Sequence, residues 1–196
     1  MKKLVGLTGK TGAGKSTVSE YLSGKGAYII DGDIVAREVL SVDETLITQL
    51  CNTFGDILNA DGTLNRKKLA AAAFSSAENT DKLNSIMHPA INKLINSKAE
   101  KAFENHNVVI VDAAAIIESG FADGCDILVV VHAPFDVRKN RIIKRDNLSE
   151  KDALIRMNGQ KDDDFYLSKA DFVVKNFEPY KLNDELAQLE KELFAF

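Results

Sequence analysis

Residues 3–17 read KLVGLTGKTGAGKST, a short apolar run that breaks into a glycine-rich turn ending in Lys-Ser-Thr. Lys3 to Thr8 predicts a β-strand, and the helical spacing of Val18, Tyr21 and Leu22 predicts a helix directly after the turn. Gly9 to Thr17 is a complete G-x-x-x-x-G-K-S match set between the two, which is the context that gives the pattern meaning. Glycines let the backbone curl so that successive N–H groups point inward. The positive end of the next helix adds to the field, and together they make a cradle for phosphate oxygens. The expected ligands of a triphosphate are therefore Gly9, Gly12, Ala13, Gly14, Lys15, Ser16 and Thr17, with Lys15 on the β and γ phosphates and the Ser16 hydroxyl on Mg²⁺. A strand-to-helix turn with no ligand is the competing reading, and the position of the complete motif weighs against it.

Working outward, Gly24 and Gly26 stop the first helix, and Ala27 to Asp31 predicts a second strand, one βαβ unit in about thirty residues. Further strands are expected at Asn107 to Asp112, Asp126 to His132 and Asp171 to Lys175, alternating with helical periods. That alternation predicts an α/β fold with a five-stranded parallel sheet covered by helices. From Asp33 to His106 no strand is evident, which reads as an inserted helical lobe. Within it, Ser41 with Glu44 forms a capping-box pattern before the stripe Leu46, Ile47, Leu50, Cys51, Phe54. Leu83 to Ile95 marks a long amphipathic helix, which Pro89 should bend or break. Helices are also expected at Phe135 to Arg145, at Ser149 to Gln160 after an S-x-x-D cap, and from Lys181 onward. The expected organisation is one domain, 1–196, with a core at about 1–33, 106–135 and 165–196, a substrate lobe at about 34–105 and a lid at about 136–164.

Composition narrows the function classes. The chain has 196 residues, 45% hydrophobic and 28% charged, with a net charge of −4, so bulk electrostatics do not draw it to nucleic acid or an acidic membrane face. No run approaches the roughly 18 apolar residues of a membrane span, and the N-terminal apolar stretch is broken at Thr8 and Gly9 before it resembles a signal peptide. Cys51 and Cys125 have no metal or redox spacing; both are expected reduced and structural, in a cytoplasmic protein.

Two further clusters bear on chemistry. Asp31-Gly32-Asp33 closes the second strand, and in an extended chain residues i and i+2 project to the same side, toward the sheet edge where open α/β folds bind ligands. One of these carboxylates is suited to accept the proton of an attacking hydroxyl, and helix capping is the alternative role for either. Arg138, Lys139, Arg141, Lys144 and Arg145 crowd five cations into eight residues. Arg138, Arg141 and Arg145 are spaced three and four apart and share a helix face, as befits arginines closing over a phosphoryl group; a solvated charged face is the alternative. Arg156 and Gln160, one turn apart, are placed to face the same space. Asp112 ends the third strand and is left between a Mg²⁺-water role and simple strand termination, and His106 and His132 have no partner spacing.

Taken in order, LTGKTGAGKST, DGDIVAREVL, Phe54-Gly55, DGTLNRKKL, His88-Pro89, RIIKRD, R-x-x-x-Q at Arg156 to Gln160, and ADFVVKN resemble the dephospho-CoA kinase family along the whole chain. The resemblance implies a P-loop three-layer fold with a helical substrate lobe and a helical lid. It implies ATP- and Mg²⁺-dependent phosphorylation of the ribose 3′-hydroxyl of 3′-dephospho-CoA, with Asp33 as base, Lys15 on ATP, and Arg141 and Arg145 in the lid. On matching positions it further implies Asn176 at the nucleotide, and Asp31, Asp33, Arg37, His88, Glu118, Arg156 and Gln160 at the acceptor. A different small-molecule kinase of the P-loop type and a nucleotide-binding switch are the alternatives; the N-K-x-D base-recognition motif of a switch does not occur. The chain departs from the family at Ala114-Ala115-Ile116-Ile117-Glu118, where Pro-Leu-Leu-x-Glu is usual, and at Tyr166, where Lys or Arg is usual. Those departures bear on substrate affinity rather than on reaction type.

Overall fold

The structure, a computed structural model, describes residues 2–195. In chain order the elements are β1 (Lys3–Thr8), α1 (Lys15–Gly24), β2 (Tyr28–Asp31), α2 (Gly32–Val42), α3 (Glu44–Phe54), α4 (Arg66–Ala73), α5 (Ala77–Ala102), β3 (Val108–Asp112), β4 (Ile127–His132), α6 (Phe135–Asp146), α7 (Glu150–Asn158), α8 (Asp163–Leu167), β5 (Phe172–Lys175) and α9 (Leu182–Phe194). A short 3₁₀ turn, Phe121–Gly124, precedes β4. The chain divides into two compact units, Met1–Asp31 with Lys98–Phe196, and Gly32–Ser97.

The larger unit is built on one sheet, with strand order β2-β3-β1-β4-β5, all parallel. Its strands are nearly continuous apolar runs because both faces are covered. In β3 four consecutive valine and isoleucine residues, Val108 to Val111, are buried. One face packs Val5, Leu7, Ile110, Val129 and Val174 against Val18 and Leu22 of α1 and Leu186, Leu189 and Leu193 of α9. Each such side chain contributes about 1.5–3 kcal/mol by leaving water. The acids just before β4 and β5 start those strands by side-chain hydrogen bonds: Leu4 N–H donates to Asp126 and Leu128 N–H to Asp171, each at 2.7 Å. Because all strands run the same way, the glycine-rich loop, Asp31, Asp112, His132 and Asn176 come off the same edge of the sheet.

The smaller unit is helical, and its core is Val39, Leu46, Leu50, Ile57, Leu69, Ala73 and Met87, with Cys51 and Phe54 packed alongside. An isolated antiparallel bridge, Leu58 to Leu64, is its β feature among the described residues. Two local expectations change here. Ser41 lies inside α2, where its hydroxyl donates to the Glu38 carbonyl at 2.7 Å, and the cap of α3 is Asp43, which accepts from the Thr45 and Leu46 amides. An Asp adjacent to the helix start outcompetes a serine already engaged by its own helix. The Glu44 side chain of the proposed capping box lies outside the described residues. Pro89 does not break α5, which runs unbroken for 26 residues. Pro89 and Ser85 are both exposed, so water can satisfy the Ser85 carbonyl that the proline ring deprives of a donor.

Candidate active site

The glycine-rich loop joins β1 to α1, and its shape is imposed from outside as well as by its glycines. Gly14 adopts φ 99°, a left-handed conformation, and a Cβ there would collide with the Asn176 side chain. At Gly12, φ 81°, a Cβ would lie 2.7 Å from the Arg138 carbonyl. Both positions therefore require glycine for conformation and for space. Asn176 donates its side-chain N–H to the Ala13 carbonyl at 2.8 Å. Arg141 donates to the carbonyls of Gly12 and Ala13 at 3.4 and 3.3 Å, and to the Asn176 carbonyl at 2.9 Å. With the Ala13 carbonyl held by Arg141 and Asn176, the planar trans peptide directs the Gly14 N–H away from those two side chains. The N-cap of α1, which begins at Lys15, is Gly14, a residue with no side chain to cap the helix. The result is a glycine-rich turn leading into a helix N-terminus, an arrangement that favours anions.

Lys15 forms an ion pair with Asp112 at the end of β3, and Ser19, one turn further along α1, donates its hydroxyl to the other Asp112 oxygen at 2.7 Å. Sheet register explains the meeting: Asp112 is aligned with Leu7 of β1 on one side and with Asp31 of β2 on the other. Asp112, which the sequence leaves between two roles, pairs with the loop lysine in this structure. Thr8, fully buried, ties the start of the loop to the Ala114 carbonyl at 3.2 Å. Among the described residues no three His, Cys, Asp or Glu side chains cluster as a metal site. Ser16 at the start of α1 and the Asp112 carboxylate at the end of β3 are oxygen donors of the kind Mg²⁺ takes, where one or two protein groups join phosphate oxygens and water.

The cationic helix α6 does not present one uniform face. Arg138 is 2% exposed; its Nε donates to the Ala133 carbonyl at 2.9 Å and its Nη1 to the Thr11 carbonyl at 3.5 Å. Burial pushes its pKa down while Asp163 opposes the shift. Arg145, at the other end, is exposed and makes two hydrogen bonds to Asp146, at 2.7 and 2.8 Å. Arg156 of α7 reaches the same carboxylate at 2.6 Å. The Arg145 hydrogen bonds, with both positive charges, hold the Asp146 carboxyl below its usual range. Small apolar contacts among Ile142, Ala153 and Met157, with Ile143 and Leu148 alongside, join α6 to α7.

Two sequence expectations are corrected in this region. The first is that Arg138 shares with Arg141 and Arg145 a face that closes over a phosphoryl group or is solvated; Arg138 is instead buried on the Ala133 and Thr11 carbonyls. The second is that Arg156 and Gln160, one turn apart on one helix, face the same space as those arginines. Helix α7 ends at Asn158, so Gln160 lies beyond the helical repeat, and its side-chain oxygen accepts from the Thr11 N–H at 2.9 Å.

Glu118, in the turns after β3, accepts from the Tyr166 hydroxyl at 3.3 Å. Burial first, and Glu118 second, push the Tyr166 pKa up to about 12, so its phenol stays a neutral donor. His132 lies edge-on to Phe177 at 5.6 Å, and burial lowers its pKa.

Asp33, Arg37 and His88 belong to the smaller unit. β2 stops at Asp31 and α2 starts at Gly32, so Asp33 occupies the first turn of a helix and the i, i+2 alternation of an extended chain does not reach it. Arg37 donates to the Asp33 backbone carbonyl at 3.1 Å, and His88 is half-buried on α5. Reading the sequence alone gave no role to Ser19, Asp146, Lys10 or Asp163. The spacing of Ser19 four residues after Lys15 was the one available signal, since it places both on one face of α1.

Comparison with known proteins points to one family. The family model described as dephospho-CoA kinase matches residues 3–180. A dephospho-CoA kinase of Corynebacterium diphtheriae is 39% identical over 98% of this chain and 96% of its own. That of Corynebacterium jeikeium is 40% identical over 88% of this chain and 89% of its own. Among solved structures, dephospho-CoA kinase from Campylobacter jejuni superposes with a TM-score of 0.70 at 27% identity, covering 98% of this chain and 97% of that one. A glycine loop with its lysine on a strand-end aspartate, on a five-stranded parallel sheet, and relatives matched over nearly their full length lead to one statement: this chain belongs to the dephospho-CoA kinase family.

Proposed function

We propose that this chain transfers the γ-phosphoryl group of ATP to the ribose 3′-hydroxyl of 3′-dephospho-CoA, giving CoA and ADP. The observation that carries this reading is the loop from Gly9 to Thr17, whose Gly12 and Ala13 carbonyls are held by Arg141 and Asn176 and whose Lys15 faces Asp112. Family membership supplies the acceptor.

In this reading Lys15 and the loop amides hold the β and γ phosphates. Ser16, with Asp112 nearby, would hold Mg²⁺ together with nucleotide oxygens, and the ion would supply positive charge to offset that of the phosphates. Asp33 accepts the proton of the acceptor hydroxyl as its oxygen bonds to the γ phosphorus and the bond to the bridging oxygen of ADP breaks. Arg145, with Arg156, supplies donors to the transferring group, in place of Asp146. Asp31, Arg37, His88 and Glu118 belong to acceptor binding. Functionally the chain is one domain: a core of about 1–33, 106–135 and 165–196, a substrate lobe of about 34–105 and a lid of about 136–164. Two free cysteines suit work in the cytoplasm, and no described helix is long and apolar enough to cross a membrane.

Purified protein incubated with ATP, Mg²⁺ and dephospho-CoA should form CoA and ADP in equal amounts. Turnover confined to a nucleoside or another small alcohol would reject this acceptor and leave a different small-molecule kinase. Asp33→Asn should cut turnover by about 100-fold or more while ATP binding is kept, as for a lost general base. Unchanged turnover would remove Asp33 from the reaction.

A further inference from the structure

A loop containing Gly9, Gly12 and Gly14 has little conformational preference of its own, so whatever holds it sets the shape of the phosphate cradle. Its later half is held by Arg141 and Asn176. Its earlier half, Lys10 and Thr11, is held by a different part of the chain: the short connection between α7 and α8. There the Thr11 N–H donates to Gln160 Oε1 at 2.9 Å, and Lys10 Nζ lies 3.0 Å from Asp163 Oδ1. Arg138 closes the arrangement from below, with Nη1 on the Thr11 carbonyl at 3.5 Å and Nη2 3.9 Å from Asp163. Both polar groups of the Thr11 peptide are thus occupied by side chains more than a hundred residues away in sequence. Gln160 is itself anchored, since its backbone N–H donates to the Met157 carbonyl at 3.3 Å, and it is half-buried.

We propose that Gln160 is a positioning residue of the nucleotide site, acting through the Thr11 peptide to fix the loop rather than by touching the acceptor. A glutamine at this place suits the task because its side chain is long enough to carry an acceptor oxygen to the Thr11 N–H. Losing the acceptor leaves a partly buried amide without its partner and lets the loop arm relax, which weakens phosphate binding by the rest of the loop. This inference rests on the nucleotide-binding reading of the loop and is independent of which alcohol is phosphorylated.

The test compares Gln160→Met, which keeps length and removes the acceptor, with Gln160→Glu, which keeps an acceptor while Lys10 and Arg138 offset its charge. Calorimetry with Mg-ADP and steady-state kinetics are read on both, with thermal melts to identify folded protein. Gln160→Met should weaken Mg-ADP binding and raise the ATP KM by about three- to tenfold, the worth of one hydrogen bond, with the dephospho-CoA KM unchanged. Gln160→Glu should recover to within about twofold of the parent. If Gln160→Met does not fold, Gln160→Asn, whose shorter side chain cannot span to Thr11, takes its place with the same expectation. Unchanged Mg-ADP binding, or a raised dephospho-CoA KM with an unchanged ATP KM, would overturn the proposal. Mg-ADP binding involves no acceptor, so a parent protein that binds it yet fails to make CoA would instead overturn the assignment of the substrate.

Discussion

The two ends of α6 carry the same kind of charge in opposite surroundings. Arg138 is enclosed and spends its donors on backbone carbonyls of the β4 end and the glycine loop. Arg145, seven residues on, is exposed and spends its donors on Asp146, a side chain that Arg156 shares. A buried guanidinium bonded to carbonyls cannot leave without stranding them, so it works as a fixed brace. An exposed pair held by a carboxylate exchanges partners at little cost, because water stabilises each intermediate state. Arg141, between them, bonds the loop at Gly12 and Ala13 and belongs with the brace. What distinguishes a structural from a mobile arginine here is therefore its depth and its acceptors rather than its position in a charge run.

That contrast is open to direct attack. Arg138→Met should show the largest effect, a loss of about 3 kcal/mol in denaturant unfolding, because it strands the Ala133 and Thr11 carbonyls in a buried setting. A loss near zero would erase the distinction between the two ends. Arg145→Ala should behave conversely, lowering turnover by about 100-fold while stability stays within about 1 kcal/mol of the parent. Equal turnover would return Arg145 to the class of solvated surface charges.

Asp146→Asn gives the smallest and most diagnostic effect, a pH-dependent one. The Asp146 pKa is lowered from 3.8 in the fold, chiefly by the Arg145 hydrogen bonds, so its contribution to stability is present above that value and is lost as pH falls through the depressed pKa. The stability gap between parent and Asp146→Asn should accordingly hold steady at neutral pH and close in the acid range below 3.8. A gap that persists in acid would show that charge is not what links Asp146 to Arg145.

Much of the sheet is legible in the sequence, because a strand covered on both faces must be a continuous apolar run, and VVIV at Val108 to Val111 is one. The glycine loop was legible for a similar reason: positive φ at Gly12 and Gly14 admits few other residues, so the demand is written into the residue type. Pro89 misled because its effect depends on whether water reaches the carbonyl it deprives, which is a matter of burial. Ser41 misled because several residues competed for one helix start. Gln160 was picked out by its spacing from Arg156, but the helix that the spacing presupposes ends two residues earlier.

Local chemistry alone therefore determined the alternation of strands and helices, the phosphate-binding loop and the stretches that carry acids and arginines. These follow from backbone conformational limits and hydrophobic period, which act over a few residues. Tertiary structure decided which charge meets which partner: Asp112 with Lys15 and Ser19, Gln160 with Thr11, Arg138 with the Thr11 carbonyl, and Asp146 with two arginines. Several of those partners lie about a hundred residues apart or more along the chain and meet only through parallel strand register and helix packing, so no local pattern encodes them.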